Sequence, residues 1–482
     1  MKRFYPVSLL VLSVLAGCTT VGPDYRLPEQ AAMQRPAAQG RFANADGQLA
    51  SAQAVAGRWW QLYHDPVLNQ LVEQARAANT DLRVASANLQ KALAVASEVN
   101  AEAGPHAAMS ASAERARISG QSMLLEEPLP VTNLGDEGIR VAYQLDLFGK
   151  LKRGEQAAEA NSEAVAAARD LAAITVTAET VRSYVQICSA NHGYQVVQQQ
   201  LGLQQKQLEL TRRLASAGRM TATDVLRAQA QRDSVNAALP AYQAQRDAAR
   251  YRLAMLLGKA PAEALPAAAL ACAQEPQLTQ PIPVGDGRAL LARRPDVKQA
   301  ERRLAQSSAM IGVATADLYP SITLGASAGF TGFVEDLGKR STQRFGFGPL
   351  ISWSIPDSGS MARVRAAKAD NAAALAHFDG VVLNALREVE TSLSLYAKDL
   401  QRLTLLRSAR DNAREAAAQN RRLYQAGRAP YLTSLDADRT MVSGEQAVAM
   451  AESQLAQDQV NLFLALGGGW EDAASVAKPD QH

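Results

Sequence analysis

Few residues in this chain have the type and spacing for covalent or metal chemistry. The five histidines, His64, His106, His192, His377 and His482, are scattered without ligand spacing. No glycine-rich phosphate loop, nucleophile elbow or paired-cysteine motif accompanies them. No enzyme, cofactor or metal centre is therefore expected. The reactive thiol is Cys18, preceded by Leu15-Ala16-Gly17. Lys2 and Arg3, the apolar run Val7 to Leu15 and small residues before the cysteine read as a signal peptide over 1–17, too short to span a bilayer. Leu15-Ala16-Gly17-Cys18 resembles a bacterial lipobox, which makes Cys18 the acylated first residue (S-diacylglycerol, N-palmitoyl). Thr19 is not the Asp that retains lipoproteins at the inner membrane, so the motif implies outer-membrane sorting. Acyl chains contribute about 0.8 kcal/mol per buried CH₂, and several on one cysteine hold firmly. Cys188 and Cys272 are an even pair in an oxidising compartment, either a disulfide or two inert buried thiols.

The bulk composition points to helices. Of 482 residues, 50 are basic and 47 acidic, a net charge of +3 that gives no reason to expect a nucleic-acid partner. Apolar residues make up 47% and aromatic ones 5%, with alanine throughout, which favours long, closely packed helices.

The chain is duplicated. Arg212 to Arg219 aligns with Arg421 to Arg428 at an offset of 209, which also carries Leu226 onto Leu435 and Leu257-Gly258 onto Leu466-Gly467. Upstream the offset is 210 (Tyr143 on Trp353, Gly149 on Gly359), then 215 (Asp81 on Asp296, Pro105 on Pro320). The organisation is a lipidated extended segment over 18–60, a first repeat over 61–270, a linker over 271–288, a second repeat over 289–470 and a tail over 471–482. Each repeat reads helix, two strands, very long helix, returning helix. The hairpins of strands fall at about 107–148 and 321–356, and the helical hairpins at 150–258 and 359–466.

Proline is absent from Lys150 to Leu214 and from Asp357 to Ala429, and a helix of such length reaches roughly 100 Å. Leu386, Val389, Leu393, Tyr396, Leu400 and Leu403 recur at three- and four-residue steps, a coiled-coil seam. Gly218 and Gly427 should end the long helices, with Thr221 or Thr223 and Thr433 or a neighbour near the next starts. In Ser321–Thr331, Ile322, Leu324, Ala326, Ala328 and Phe330 alternate with small or polar residues; Phe345–Ile355 and Ile139–Leu147 behave alike, and Ala107–Ile118 more weakly. Such strands suit a membrane barrel with a wet interior, or one face of a soluble sandwich. Two separated hairpins weigh against the sandwich. Four strands cannot close a barrel, and an open edge cannot sit in lipid, so the barrel must be shared between protomers.

The lipobox, Val21-Gly22-Pro23-Asp24-Tyr25, Asp146-Leu147-Phe148-Gly149, Arg293-Arg294-Pro295-Asp296, the stretch Gly312 to Pro320, and Leu466-Gly467-Gly468-Gly469-Trp470 together resemble the outer membrane factor (TolC-type) family, in its lipoprotein branch. The resemblance implies a mainly α fold with transmembrane β: a homotrimer with a shared 12-stranded barrel, four strands per protomer, continuing into an α-helical tunnel. The strand count alone also permits an eight-stranded dimer. The implied role is the exit duct of a tripartite efflux system, with a periplasmic adaptor, an inner-membrane pump and outer-membrane lipid as partners. A non-pore periplasmic coiled-coil adaptor or structural lipoprotein is the alternative; it leaves the paired strands unexplained.

Leu432 and Asp436 are four apart, on one helix face. On residue type alone, Leu432 reads as core and Asp436 as a solvated acid. The resemblance instead implies a periplasmic aperture, with a hydrophobic ring and a carboxylate ring. Asp224, near the equivalent turn, is a candidate for pairing with an arginine across the tip.

Overall fold

The computed structural model describes residues 20–45, 50–51, 53, 57–278, 280–356 and 358–469. Cys18, the signal segment 1–17, Trp470 and the tail lie outside the described residues. The main elements, in chain order, are α1 (Pro66–Ala78), α2 (Thr80–Glu102), β1 (His106–Ala116), β2 (Thr132–Leu145) and α3 (Lys150–Ser216). They continue with α4 (Ala222–Asn236), α5 (Leu239–Leu256), α6 (Gly287–Arg293), α7 (Pro295–Ala316), β3 (Ser321–Phe333), β4 (Gln343–Ser352), α8 (Ser358–Gln425) and α9 (Tyr431–Ala465). The repeated order of helix, two strands, long helix and return is present in both halves.

Two units divide the chain crosswise to the repeats, each drawing on both halves. The first comprises 1–28, 88–165 and 299–378 and holds a four-stranded sheet, ordered β1-β2-β3-β4 and antiparallel throughout. Ile139 pairs with Met109 and Ala328, and Ala328 pairs with Phe345, so apolar residues of all four strands share one face. β2 begins at Thr132, seven residues before the alternation becomes apolar, because Gly135, Asp136 and Gly138 interrupt the pattern without interrupting the ladder. β4 ends at Ser352, so Trp353 and Ile355, expected within the strand, lie beyond it.

The second unit comprises 29–87, 166–298 and 379–482. Its core gathers Trp59, Trp60, Tyr63, Leu253 and Phe463, with Trp59 stacked on Phe463 at 4.5 Å between centroids. The expected seam packs inward: Val389 and Leu393 are buried in this core, Leu403 is buried in a neighbouring cluster with Val448 and Leu455, and Leu386, Tyr396 and Leu400 pack against these partly buried. Buried Arg294 forks onto Asp296 at 2.6 Å and Glu388 at 2.8 Å, and donates to the carbonyl of Ala465. Ala50–Ser51 pairs in parallel with Ile282–Pro283, tying the N-terminal segment to the linker.

The returning helix of the first repeat is not continuous. It breaks between Asn236 and Leu239, where Pro240 occupies the first turn of α5 and lacks the amide that would bond backward. Ala449, its counterpart at the 209 offset, allows α9 to run unbroken for 35 residues.

Between α5 and α6 a strap crosses α3. Cys272 is disulfide-bonded to Cys188, with Cα atoms 4.9 Å apart. Asn191 donates to the carbonyls of Leu270 and Cys272 at 2.9 and 2.7 Å. His192 Nδ1 lies 3.2 Å from Glu275 Oε2 and 4.0 Å from Glu452, which Arg407 also holds at 2.7 Å. The hydrogen bond to Glu275 raises the His192 pKa, helped by both carboxylates and opposed by desolvation. Burial pushes the Glu275 carboxyl up, but hydrogen bonding, His192's included, leaves it below its ordinary value.

The bridge closes a loop of 84 residues in sequence separation. Cys272→Ser should lower unfolding stability by about 2–4 kcal/mol, read as a drop in thermal midpoint. An unchanged midpoint, or two free thiols in denatured unreduced protein, would exclude the bridge. His192 binds its proton more tightly folded than unfolded. Its contribution is complete below its unfolded value of about 6.5 and is lost as pH rises through the folded value. Glu275 contributes above its unfolded value of about 4.3 and is lost as pH falls through its lowered folded value. His192→Gln should therefore flatten the decline in urea midpoint on the alkaline side and, by weakening the hold on Glu275, flatten the acid side as well.

Candidate functional site

The sheet carries two unlike faces. Phe345 and Phe347 are 91% and 86% exposed and Met109 is 80%, while Ile139, Val141, Tyr143, Leu324 and Ile351 share their face. A soluble protein does not leave such a face to water. The opposite face holds Ser110, Ser112, Arg140, Gln144, Thr323, Ser327 and a run of glycines. Near its far end Arg344 grips Asp136 in bidentate fashion, at 2.7 and 3.0 Å, and Thr331 bonds both. Sequence reading missed this network because it joins three strands across 208 residues. Apolar outside and polar inside is the pattern of a membrane barrel wall. Within this sheet, β1 and β4 are the two strands left unpaired, each along one edge. No helix among the described residues is long and apolar enough to cross a membrane.

The segment after Cys18 is docked in the first unit. Val21 N donates to Phe148 O at 3.0 Å, and buried Arg153 donates to the carbonyls of Val21 and Gly22 and to Asp24 at 2.9 Å. Gly22 adopts φ +85°, and a Cβ there would lie 2.4 Å from Gly312 Cα. Tyr25 OH donates to Glu301 at 2.6 Å. Gly22 is thus required by close backbone approach, and a Cβ at Gly312 would lie 2.6 Å from Arg153 Cγ.

The helical turns lie in the second unit. Gly218 and Gly427 have φ of +72° and +70°. Arg219 N bonds Leu214 O and Arg428 N bonds Leu423 O, each at 2.8 Å, the closing bond of a Schellman motif in both repeats. After Gly218, Thr221 caps α4. Its hydroxyl accepts from Asp224 N and the Asp224 carboxylate accepts from Thr221 N, a capping box. The Thr221 side-chain and backbone hydrogen bonds lower the Asp224 pKa. Asp224 is therefore engaged within its own helix, with Arg227 at 3.8 Å as an ion-pair partner.

The second turn differs. α9 starts at Tyr431 with Pro430 as its cap, so Thr433 lies inside the helix. Tyr431 is buried and shares a 3.0 Å hydrogen bond with Thr211. Leu432 and Asp436 are both exposed, one turn apart, and Asp436 has no ion-pair partner among the described residues. Asp438, which sequence reading passed over, is buried against Arg421 at 3.3 Å; burial raises its pKa and the arginine opposes this. Among the described residues, no group of three or more His, Cys, Asp or Glu could hold a metal ion.

Residues 71–259 and 287–468 match the profile of the family described as outer membrane efflux protein. The chain belongs to the outer membrane efflux protein family. Nodulation protein T of Rhizobium leguminosarum bv. trifolii is 30% identical over 96% of this chain and 97% of its own length. The probable efflux pump outer membrane protein TtgC of Pseudomonas putida is 32% identical over 98% and 97%. The solved outer-membrane channel OprN superimposes with a TM-score of 0.88 at 37% identity, covering 94% of this chain and all of its own. As an outer membrane efflux protein, the chain is an exit duct in the outer membrane with a large periplasmic portion, and the coincidence of a membrane-type sheet with helices of 67 and 68 residues is the family's tunnel architecture.

The sheet yields a contrast to test. A Cβ at Gly329 would lie 2.1 Å from Glu137 O, whereas one at Gly348 meets nothing within 4 Å. Gly329→Ala should lower the yield of folded protein in the membrane fraction, and Gly348→Ala should leave it unchanged. Equal yields from both would mean that β2 and β3 do not approach this closely.

Proposed function

We propose that three copies of this chain join their sheets edge to edge into one 12-stranded barrel, and that this trimer is the outer-membrane duct of a tripartite efflux system. The observation that carries the reading is the sheet itself: one face apolar over Ile139 to Leu145 and their partners, one mostly polar face and two unpaired edges. In hydrocarbon each unpaired backbone group costs several kcal/mol, so β4 of one protomer needs β1 of the next. Cys18 carries the lipid anchor, two residues before the docked segment. A periplasmic adaptor and an inner-membrane pump supply small toxic molecules to the helical tunnel. Relatives are named for toluene and antibiotic efflux and for pyoverdine export, so the wall chemistry is read as permissive.

Leu432 and Asp436 are the proposed periplasmic aperture. Three exposed leucines around an axis would close a dewetted ring, and three carboxylates one turn on would repel one another and favour cations over anions. Adaptor docking would then open a constriction that is held closed by packing. Replacing either residue with Ala should raise single-channel conductance in planar bilayers and leakage of antibiotics into cells. Unchanged conductance in both variants would remove the aperture from these positions, and monomers without conductance would favour a non-pore adaptor.

A further inference from the structure

Charge on the polar face of the sheet is unevenly placed. Asp136 and Arg344 neutralise one another near one end, where Glu114, opposite Leu134, adds a second exposed carboxylate. Arg140 lies four residues further along β2, on the same face, exposed and without a hydrogen bond or salt bridge among the described residues, its charge acting at longer range on Asp136. Its cross-strand neighbours are Ala108 and Ser327, and its neighbours along the strand on that face are Gly138 and Ala142. None of these side chains reaches far enough to cover a guanidinium or to accept two hydrogen bonds from it. An arginine set among small residues projects beyond the wall around it, with its five donors in fork geometry available to a carboxylate, phosphate or sulfonate.

We infer that Arg140 is an anion-contacting residue of the barrel lumen, repeated once per protomer, that favours passage of small molecules bearing carboxylate, phosphate or sulfonate groups. The inference rests on the trimeric barrel proposed above, which turns the polar face inward. It places a basic zone within the β-barrel, where Asp436 would supply an acidic one at the helical turn. A wide lumen makes the effect long-range and therefore screened: the screening length is about 30 Å at 0.01 M salt and about 3 Å at 1 M.

The test uses the full-length protein in planar bilayers under a KCl gradient, reading the anion-to-cation permeability ratio from the zero-current potential. Measurements are made both in the wild type and in the Asp436→Ala background, so that the acidic turn does not mask the barrel. At about 10 mM salt, Arg140→Glu should lower the ratio about twofold or more, Arg140→Gln should lower it less, and Arg140→Lys should match the unsubstituted protein. At about 1 M the forms should converge. Equal ratios for all forms at low salt in both backgrounds overturn the inference while leaving the pore intact. Absence of conductance in the wild type overturns the pore reading itself. If Arg140→Glu does not insert, the comparison of Arg140→Gln with Arg140→Lys decides the matter.

Discussion

Hydrocarbon offers no partner to a backbone amide or carbonyl, and a strand edge in a bilayer must therefore be paired by protein. In this chain that constraint falls on β1 and β4, the two outer strands of a sheet whose apolar face cannot be left in water. A longer chain could add strands until the sheet closed on itself. Here each repeat contributes one hairpin, and the rest of its length goes into helices. On the proposed barrel, closure by copies makes oligomerisation a condition of the membrane structure rather than an addition to it. The glycines of the polar face fit this account: close passage of β3 against β2 at Gly329 leaves no room for a Cβ, so the ladder holds a single register.

Duplication supplies two copies of each device, and the copies have diverged where their surroundings differ. Gly218 and Gly427 keep the same left-handed conformation because a tight helix reversal needs it in both. Beyond the reversal the chemistry parts. The first repeat starts its return with the Thr221–Asp224 capping box and breaks it at Pro240. The second starts on Pro430 and continues unbroken through α9. Where side chains need only satisfy helix geometry the repeats agree, and where they meet different neighbours they do not.

Periodicity made the helices and the apolar half of each strand legible, since burial on one face leaves a repeat of 3.6 or 2 in the sequence. The outer half of β2 was not legible, because Gly135, Asp136 and Gly138 carry no apolar alternation; their pairing follows from the ladder already begun by Ile139 and Val141. The break at Asn236–Leu239 could have been read from Pro240, whose missing amide is a local signal. The Arg344–Asp136 pair and the strap contacts of His192 with Glu275 had no local signal at all. Each joins residues far apart in sequence through a fold that had to be known first. The helix start at Pro430 rather than Thr433 reflects the same limit at short range, since several residues after Gly427 were acceptable starts.

The carboxylates around the two turns separate by what each charge does within its own chain. Asp224 holds the first amides of α4, a role its neighbour Thr221 completes. Asp438 is buried, and without Arg421 at 3.3 Å it would be an uncompensated charge in a poor solvent. Asp436 does neither. It is exposed, one turn after exposed Leu432, and no ion pair among the described residues occupies it. An exposed acid with no ion pair among the described residues could be replaced at little cost to the fold. If its replacement changes conductance while the fold holds, the carboxylate acts on what lies outside the protomer, either its symmetry copies or the ions between them. That separability makes Asp436 a better probe of an aperture than Asp438, where any change in conductance would be mixed with loss of packing.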